Sequence, residues 1–268
     1  MIKIGVTMAL ENVTVVVTNY NKGHLLLRAI ESVIEQAKIE DEIIIIDDAS
    51  SSKEDHEILF FLQEDVKYSN IKVLINHDNL GVSSSKNRGV AEAVNDIIIL
   101  LDGDDTLPSD ALKTIKGEFC SRELDVLFGD YLHLVAESRK ETSCRSIAQD
   151  GMINLNALAK NWLLLGTSPF RKSSCFETFK FNSNFNRTDD VDFHRQLILS
   201  EKKIGYVNKV IYNWHHFEGG NNDNIPNDEI LYSHATGLKF FMDNLYGLDL
   251  LLFSIKFWVR FIALSIKR

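Results

Sequence analysis

The chain is poor in the residues that mark disulfide-bonded, zinc-binding or linker-containing proteins. Its 268 residues include 3 cysteines and 3 prolines. Cys120, Cys144 and Cys175 form no CxxC pair and have no metal-ligand spacing, so we expect reduced, packed thiols in a cytoplasmic protein. Three prolines cannot form a proline-rich linker, which favours one domain with an appended tail.

An excess of basic residues and long apolar runs are also missing. The chain has 29 Lys and Arg against 38 Asp and Glu, a formal net charge of −9. This acidic balance argues against binding to a phosphate backbone, so we expect no nucleic-acid partner. Nothing in the sequence resembles a signal peptide or the run of about 18 apolar residues that a spanning helix requires.

What the first 130 residues do contain is an alternation of strand-like and helix-like patterns. Apolar, β-branched runs predict strands at Val13–Thr18, Glu42–Asp47, Ile71–Ile75, Ile97–Leu101 and Leu124–Gly129. Between them, helical spacing predicts helices at Leu25–Ala37, Lys53–Asp65, Ser83–Val94 and Asp110–Cys120, with Asn21 as the cap of the first. This order predicts an α/β fold with a mostly parallel central sheet flanked by helices.

Beyond Asp130 the alternation fades. We expect a short helix at Leu155–Leu165, strands at Ser168–Phe170 and Lys203–Trp214, and a helix at Asp190–Ser200.

Three carboxylates directly follow the apolar run Ile97–Leu101. Asp102, Asp104 and Asp105 stand together, with Gly103 between the first two. Clustered carboxylates raise each other's pKa, so a cation is expected beside them. Mg²⁺ and Mn²⁺ prefer oxygen ligands, and Mg²⁺ is commonly held by one or two carboxylates and substrate phosphates. The alternative is a capping turn for the next helix, but a cap needs one acidic side chain, not three.

Other polar residues follow the neighbouring strands, at the edge where parallel sheets bind ligands. Tyr20 suits either stacking on a base or ordinary packing. Asp48 suits either accepting from a nucleobase N–H or forming a β-turn. The segment "NLGVSSSKNRG" (Asn79–Gly89) places Lys86 near a helix start, which suits either a pyrophosphate or a serine-capped helix with solvated cations.

Two further pairs have both structural and functional interpretations. Asp189 and Asp190 open a predicted helix, where acidic side chains favour the helix dipole. If that helix faces the same site, a carboxylate there is a candidate general base. His215 and His216 follow the last predicted strand, either as a surface pair or as a metal ligand beside a mobile loop.

Taken in order, these segments resemble the family 2 glycosyltransferases of the GT-A fold. The resemblance extends from Val13 to Asn222 through "VVVTNYN", "IIIIDDAS", "NLGVSSSKNRG", "LLDGDD", "TDDVDFHRQL" and "YNWHH". No segment is specific alone, and the evidence lies in their order and spacing. The resemblance implies an inverting transferase that moves a sugar from a nucleotide diphosphate, most often UDP, to a hydroxyl of a glycan or lipid-linked acceptor, with Mn²⁺ or Mg²⁺ as cofactor.

Carried over to this chain, the resemblance implies a nucleotide site built from strand ends. Thr18 and Tyr20 would hold the base, and Asp48 would accept from its N3–H. Lys86, where the family usually has arginine, would approach the diphosphate, and Asp102 and Asp104 would complete the nucleotide-binding set.

The resemblance also implies a metal ligand set and a catalytic base. Asp102 and Asp104 match the family's DxD motif, with Asp104 as the metal ligand and Asp105 as its rival. His216, or else His215, would be the auxiliary ligand. Asp190 would be the catalytic base.

The implied organisation is a GT-A domain at 1–222, with a nucleotide-binding part at 1–130 and an acceptor-binding part at 131–222, followed by a helical tail at 223–268. Within the tail, Asp249, Lys256, Arg260 and Lys267 recur on one helical stripe among apolar residues. We expect this segment to contact the inner face of the plasma membrane or a partner such as a second copy, the alternative being docking on the domain.

Two other functions compete with this interpretation. One is a non-catalytic nucleotide-sugar-binding or scaffold protein of the same fold. The other is a sugar nucleotidyltransferase, but that class needs a glycine-rich loop with arginine after the first strand, and "TNYNKGHLL" is not one.

Overall fold

A computed structural model describes most of the chain up to residue 217 and part of the C-terminal segment. The described residues are 10–64, 69–135, 138–142, 148–149, 152–153, 168–184, 189–217, 236–237, 239–247, 251, 254–255 and 258. The predicted helix at Leu155–Leu165 lies outside them, as does most of the tail.

The described residues form one large mixed sheet, a two-stranded hairpin and helices that flank the sheet. The strands are β1 Val13–Asn19, β2 Glu42–Asp47, β3 Ile71–Ile75, β4 Ile97–Asp102, β5 Val126–Val135, β6 Ser138–Thr142, β7 Ala148–Gln149, β8 Met152–Ile153, β9 Phe170–Arg171 and β10 Ile204–His216. The helices are α1 His24–Ile34, α2 Lys53–Glu64, α3 Val82–Glu92, α4 Ala111–Arg122 and α5 Asp189–Leu199, with a π-helical turn at Lys172–Phe176.

The sheet places the polar strand ends of the first half at one edge. Its order is β10-β5-β9-β4-β1-β2-β3, with β6 paired to β5, and β7 pairs with β8 separately. Strands β1 to β4 are mutually parallel where they pair, and β10 is parallel to β5. The short strand β9 runs antiparallel between β4 and β5. The predicted α/β fold with a mostly parallel sheet is therefore confirmed.

The apolar runs that predicted strands are buried as expected. Every residue of β1 is buried, and in β4 the run Ile97–Leu101 is at most 2% exposed. Continuous burial follows because helices cover both faces of a parallel sheet. α1 supplies one such cover through Leu26, Ala29, Ile30 and Val33, which recur at helical spacing and are fully buried.

Two local predictions were wrong. Asn21 does not cap α1, which begins after Gly23 without a side-chain cap. Instead, Asn21 has a φ of 51° and its side-chain oxygen accepts hydrogen bonds from the backbone N–H groups of Ser51 and Ser52. β5 also continues to Val135 and pairs with β6, because the partner strands β6 and β10 stabilise a polar segment that has little strand pattern of its own.

Helix α3 lies directly on the sheet because it has a glycine at the contact. A Cβ added at Gly89 would overlap Val16 Cγ1 of β1 and lie 3.1 Å from Ile46 Cγ1 of β2. By contrast, a Cβ at Gly117 of α4 would meet no atom within 4 Å. The first glycine is thus required by packing and the second is not.

We expect opposite effects of alanine at these two glycines. Gly89→Ala should lower the free energy of unfolding by about 1–3 kcal/mol, because the methyl group overpacks the helix–sheet contact. Gly117→Ala should raise it by about 0.5–1 kcal/mol, because alanine is the better helix former. Urea unfolding followed by circular dichroism measures both, and Val16→Ala should partly rescue Gly89→Ala. Equal stabilisation by both alanines would contradict this packing.

Candidate functional site

The loop after β1 is held by a buried polar network. The Asn19 side-chain amide donates to Asp47 Oδ1 at 2.7 Å and to Asp55 Oδ1 at 2.8 Å. Asp55, in the first turn of α2 and fully buried, also accepts from the backbone N–H groups of Lys22 and Gly23. These bonds fix the segment that carries Tyr20, whose side chain is 45% exposed at the same edge of the sheet.

Asp48 organises the loop that follows β3. Its Oδ1 accepts from the Asn76 amide at 2.7 Å and from Leu80 N–H at 2.9 Å, and its Oδ2 accepts from Gly81 N–H at 2.8 Å. A carboxylate offers about four acceptor positions, so Asp48 retains capacity for one further donor on Oδ2. The predicted base-contacting residue is therefore also the support of the segment that leads into α3.

The first aspartate of the cluster ends β4 and faces the end of β1. Asp102 Oδ1 accepts from Thr18 Oγ1 at 3.2 Å, and Gly103 N–H donates to the Thr18 carbonyl at 2.9 Å. A Cβ at Gly103 would lie 2.7 Å from that carbonyl, so glycine is required at this close approach. The Asp102 side chain remains 39% exposed.

Asp104 is paired with cations from the start of α1. Its carboxylate forms an ion pair with Lys22, and the two side chains are 24% and 20% exposed. Its carbonyl accepts from Arg28 Nη2 at 2.6 Å. The cation that the aspartate cluster predicted is thus supplied, in part, by the protein itself.

Asp105 connects the aspartate cluster to β10. It is 4% exposed, its Oδ2 accepts from the Tyr212 hydroxyl at 2.6 Å and its Oδ1 accepts from His215 N–H at 2.8 Å. Burial, followed by the charges of Asp102 and Asp104, raises the pKa of Asp105 well above its usual range.

The two histidines of β10 lie in different surroundings. The His215 ring is 3.0 Å from Thr106 Oγ1 through Nε2, next to the aspartate cluster. Burial and the nearby Arg28 charge lower the pKa of His215 to about 4, so it is neutral at pH 7. The His216 ring packs edge-on against His133 and Trp214, at centroid distances of 5.9 and 6.3 Å. Of the two candidates for auxiliary ligand, His215 is the one that contacts the loop after β4.

Lys86 joins the aspartate cluster to α5. Its ammonium lies 2.9 Å from Asp189 Oδ2 and 3.4 Å from Asp102 Oδ1, and its side chain is 3% exposed. Burial lowers the pKa of Lys86, but the charges of Asp102, Asp189 and Asp190 outweigh it and raise the pKa above its ordinary value. Lys86 is therefore a buried cation that holds two carboxylates of different motifs together.

The two aspartates that open α5 have different roles in this arrangement. Asp189 is 4% exposed and paired with Lys86. Asp190 keeps part of its surface exposed, and its Oδ1 accepts from the N–H of Val191. Burial first, and then the Asp189 charge, raises the pKa of Asp190 to about 7, against the opposing effect of Lys86. A carboxylate with this pKa exchanges protons near neutral pH.

The structure thus brings the predicted site residues to one edge of the sheet. Direct contacts link Thr18 to Asp102, Asp102 to Lys86 and Lys86 to Asp189, and Asp190 is the next residue in the chain. Asp104 and Asp105 lie in the turn that begins at Asp102. Among the described residues, no group of three or more His, Cys, Asp or Glu side chains is placed to hold a metal ion.

Sequence reasoning missed several residues that shape this edge. Lys22 and Arg28 face Asp104, Asn19 and Asp55 fix the β1 loop, and Tyr212 contacts Asp105. The signal for Lys22 was available, because a cation stands four residues after Thr18 in the loop that follows a buried strand. Asp55 and Tyr212 gave no signal, since only tertiary contact brings them to this edge.

The raised pKa of Asp190 predicts a dependence of stability on pH. With a pKa of about 7 in the folded state and 3.8 as the ordinary value, the folded state binds more protons between these limits. The free energy of unfolding therefore falls as pH rises from about 4 to 7. Asp190→Asn should leave the melting temperature unchanged near pH 4 and raise it at pH 8. The rise should be about 2–4 °C for each 1 kcal/mol gained in the free energy of unfolding.

The matched control for this measurement is Glu201→Gln, which alters an exposed carboxyl in the turn after α5. It should leave the pH profile of the melting temperature unchanged. A profile for Asp190→Asn that superimposes on that of the wild type would show that Asp190 does not have a raised pKa.

Comparisons with known proteins identify the family and the fold of the chain. The sequence profile of the family described as Glycosyl transferase family 2 matches residues 14–188, well over half of the chain. That range begins in β1 and reaches the residue before α5, so it includes the aspartate cluster and Lys86.

Individual relatives are distant in sequence and longer than this chain. Glycosyltransferase GlyG of Streptococcus pneumoniae serotype 4 is 25% identical over 215 residues, which cover 75% of this chain and 70% of GlyG. The GalNAc(5)-diNAcBac-PP-undecaprenol beta-1,3-glucosyltransferase of Campylobacter jejuni is 28% identical over 186 residues, which cover 64% of this chain and 55% of that enzyme.

Solved structures share the fold. S. aureus TarS 1-349 in complex with UDP-GlcNAc superimposes with a TM-score of 0.71 at 18% identity, covering 88% of this chain and 68% of the TarS chain. At this identity the likeness supports the GT-A fold, and the family assignment rests on the sequence profile. Together with the strand-end carboxylates, these matches show that the chain belongs to glycosyl transferase family 2 and is a glycosyltransferase of the GT-A fold.

Proposed function

We propose that the protein transfers a sugar from a UDP-linked donor to a hydroxyl of a glycan or lipid-linked acceptor, with inversion at the anomeric carbon. The observation that carries the proposal is the Lys86 bridge. By holding Asp189 against Asp102, it places Asp190 beside the aspartate cluster, so a base and a diphosphate site share one edge of the sheet.

The donor assignment follows from the strand ends and from the neighbours. Tyr20 offers an exposed ring for stacking on a base, and Asp48 Oδ2 retains an acceptor position for a base N–H. One solved neighbour is a complex with UDP-GlcNAc, which favours UDP among the nucleotides. Thr18 is proposed to hold the base together with Tyr20, and its contact with Asp102 connects this base site to Lys86, the proposed diphosphate ligand.

The chemistry of the aspartate cluster fits a hard divalent cation. Asp102 and Asp104 are partly exposed carboxylates, and Mg²⁺ or Mn²⁺ commonly uses one or two carboxylates together with substrate phosphates. Asp104 is the proposed ligand, with His215 as the nearer of the two histidines. Asp105 would act as a positioning residue, because it is 4% exposed and its two oxygens hold the Tyr212 hydroxyl and the His215 backbone in place. When bound, the cation stabilises negative charge on the leaving phosphate.

Asp190 is the proposed general base. The acceptor oxygen attacks C1 of the sugar as Asp190 takes its proton, and the bond from C1 to the phosphate oxygen breaks with its electron pair going to UDP. This single displacement inverts the anomeric centre. A pKa of about 7 suits this role, because the carboxylate is available near neutral pH and still basic enough to accept a proton.

The acceptor class is inferred from relatives and from the division of the chain. The C. jejuni relative is named for an undecaprenol-linked acceptor, which favours lipid-linked glycans in this chain as well. The acceptor-binding part is assigned to residues 131–222, whose described elements are the end of β5, strands β6 to β10, the π-helical turn and α5.

Lys22 gives the metal site a measurable signature. Its ammonium pairs with Asp104 Oδ2, so a divalent cation bound at that oxygen would displace Lys22. We expect UDP to bind with Mn²⁺ in isothermal titration calorimetry and Asp104→Ala to abolish the metal-dependent part. Lys22→Met should tighten Mn²⁺ binding several-fold, because the competing cation is removed.

Lys53→Met, which removes an exposed lysine of α2, is the control and should leave both affinities unchanged. UDP binding of equal strength with and without Mn²⁺ would refute the metal-dependent site. Failure of UDP, GDP and dTDP to bind at all would favour a scaffold protein of the same fold.

The base role predicts a pH profile. Asp190 acts when deprotonated, so kcat/KM for sugar transfer should rise with pH up to about 7 and then level off. Asp190→Asn should lower the transfer rate by at least a factor of 100, with UDP affinity unchanged in calorimetry. Asp192→Asn, on the same helix, serves as the control. Transfer by Asp190→Asn at the wild-type rate would exclude this mechanism.

A further inference from the structure

The C-terminal segment divides into a docked part and an exposed part. Phe240, Phe241 and Leu245 are at most 7% exposed, so the first part packs on the domain. Arg195 Nη1 of α5 donates to Thr236 Oγ1 at 2.9 Å and ties the start of this segment to the helix that carries Asp190. The contacts at Thr236, Phe240, Phe241 and Leu245 lie upstream of the segment 249–268, to which the docking alternative applied.

Beyond this part, large apolar side chains face solvent. Leu251, Ile255 and Trp258 are 56%, 52% and 54% exposed, and their described positions are helical. Their spacing of four and then three residues places them on one face of a helix. Met242 and Tyr246, at 53% and 80% exposure, are exposed apolar residues that precede this helical stretch. We call Leu251, Ile255 and Trp258 the apolar tail face.

The charge of the last 20 residues is opposite to that of the rest of the protein. Positions 249–268 contain one aspartate and four cations, a net charge of +3, whereas the 248 residues before them carry −12. The cations are Lys256, Arg260 and the adjacent pair Lys267 and Arg268, and the residues between them are mostly apolar and include Phe257 and Phe261. Aromatic and basic residues in alternation are typical of segments that lie in a bilayer interface.

We propose that the apolar tail face and the basic residues of 249–268 bind an anionic lipid bilayer, with the segment lying in the headgroup region. An anionic surface attracts the tail and repels the acidic domain, which orients the protein on the membrane with the tail inward. A second copy is the less favourable occupant, because two tails of charge +3 repel each other. Within the described residues, no helix has both the length and the apolarity needed to cross a bilayer.

This surface is independent of the proposed transfer chemistry, because binding to lipid requires neither donor nor metal. It would bring the site edge close to a lipid-linked acceptor, since Arg195 and Thr236 connect the tail to α5. Absence of vesicle binding would not count against the proposed donor site, and absence of UDP binding would not count against the proposed lipid surface.

The test is flotation of the full-length protein with phosphatidylcholine vesicles containing 0% or about 30% phosphatidylglycerol. We expect binding to the anionic vesicles alone, weakened by salt. The triple variant Lys256→Gln/Arg260→Gln/Lys267→Gln should lower the partition coefficient about 100-fold, because each cation near an anionic surface contributes a factor of roughly ten or less. Leu251→Gln/Ile255→Gln should lower it at least tenfold, because two apolar side chains no longer enter the interface.

The control is Phe60→Gln, which removes an apolar side chain of similar exposure, 65%, from α2. It should float like the wild type. Equal flotation of wild type and both tail variants would overturn the proposal. The proposal would also be overturned if the wild type bound no vesicles and light scattering showed a dimer that Leu251→Gln/Ile255→Gln dissociates. The apolar tail face would then be the contact with a second copy.

Discussion

The candidate site depends on one buried cation. Lys86 is almost completely removed from water, and an uncompensated ammonium there would cost several kcal/mol, so its position requires the carboxylates of Asp102 and Asp189. Those carboxylates come from segments about 90 residues apart in sequence. The ion cluster therefore specifies how α3, the end of β4 and the start of α5 meet, and among the described residues Asp190 forms no ion pair.

The same constraint explains the difference between neighbouring aspartates. Asp189 and Asp190 are identical in chemistry and adjacent in sequence, and both have raised pKa values because of burial. The Lys86 ammonium contacts Asp189 directly and acts on Asp190 only at longer range. One carboxylate thus becomes part of the scaffold and the other becomes available for proton transfer. Asp104 and Asp105 differ in a comparable way. Asp104 pairs with Lys22 near the surface, whereas Asp105 is buried and accepts a hydrogen bond from the Tyr212 hydroxyl.

The strand order makes this arrangement possible. Parallel strands β1, β2, β3 and β4 end at one edge, and β10 reaches the same edge from the far side of the sheet. Backbone hydrogen bonds between Thr106 and Asn213 and the two bonds to Asp105 tie β10 to the aspartate turn. His215 owes its place near the cluster to these tethers, whereas His216 points to the stack formed by His133 and Trp214.

The sequence by itself determined the fold class, the first four strands and the edge at which the site lies. Buried parallel strands are near-continuous apolar runs, and their polar ends follow in the chain, so both can be recognised without tertiary information. Asp190 and Lys86 were named as site residues through the family resemblance, and their roles stay predictions. The tertiary structure alone decided that Lys86 joins two carboxylates, that His215 lies closer to the cluster than His216, and that Asp105 faces Tyr212. Apart from the Lys86–Asp102 pair, these outcomes depend on contacts between residues 103 to 110 positions apart, and periodicity within a segment contains no information about such contacts.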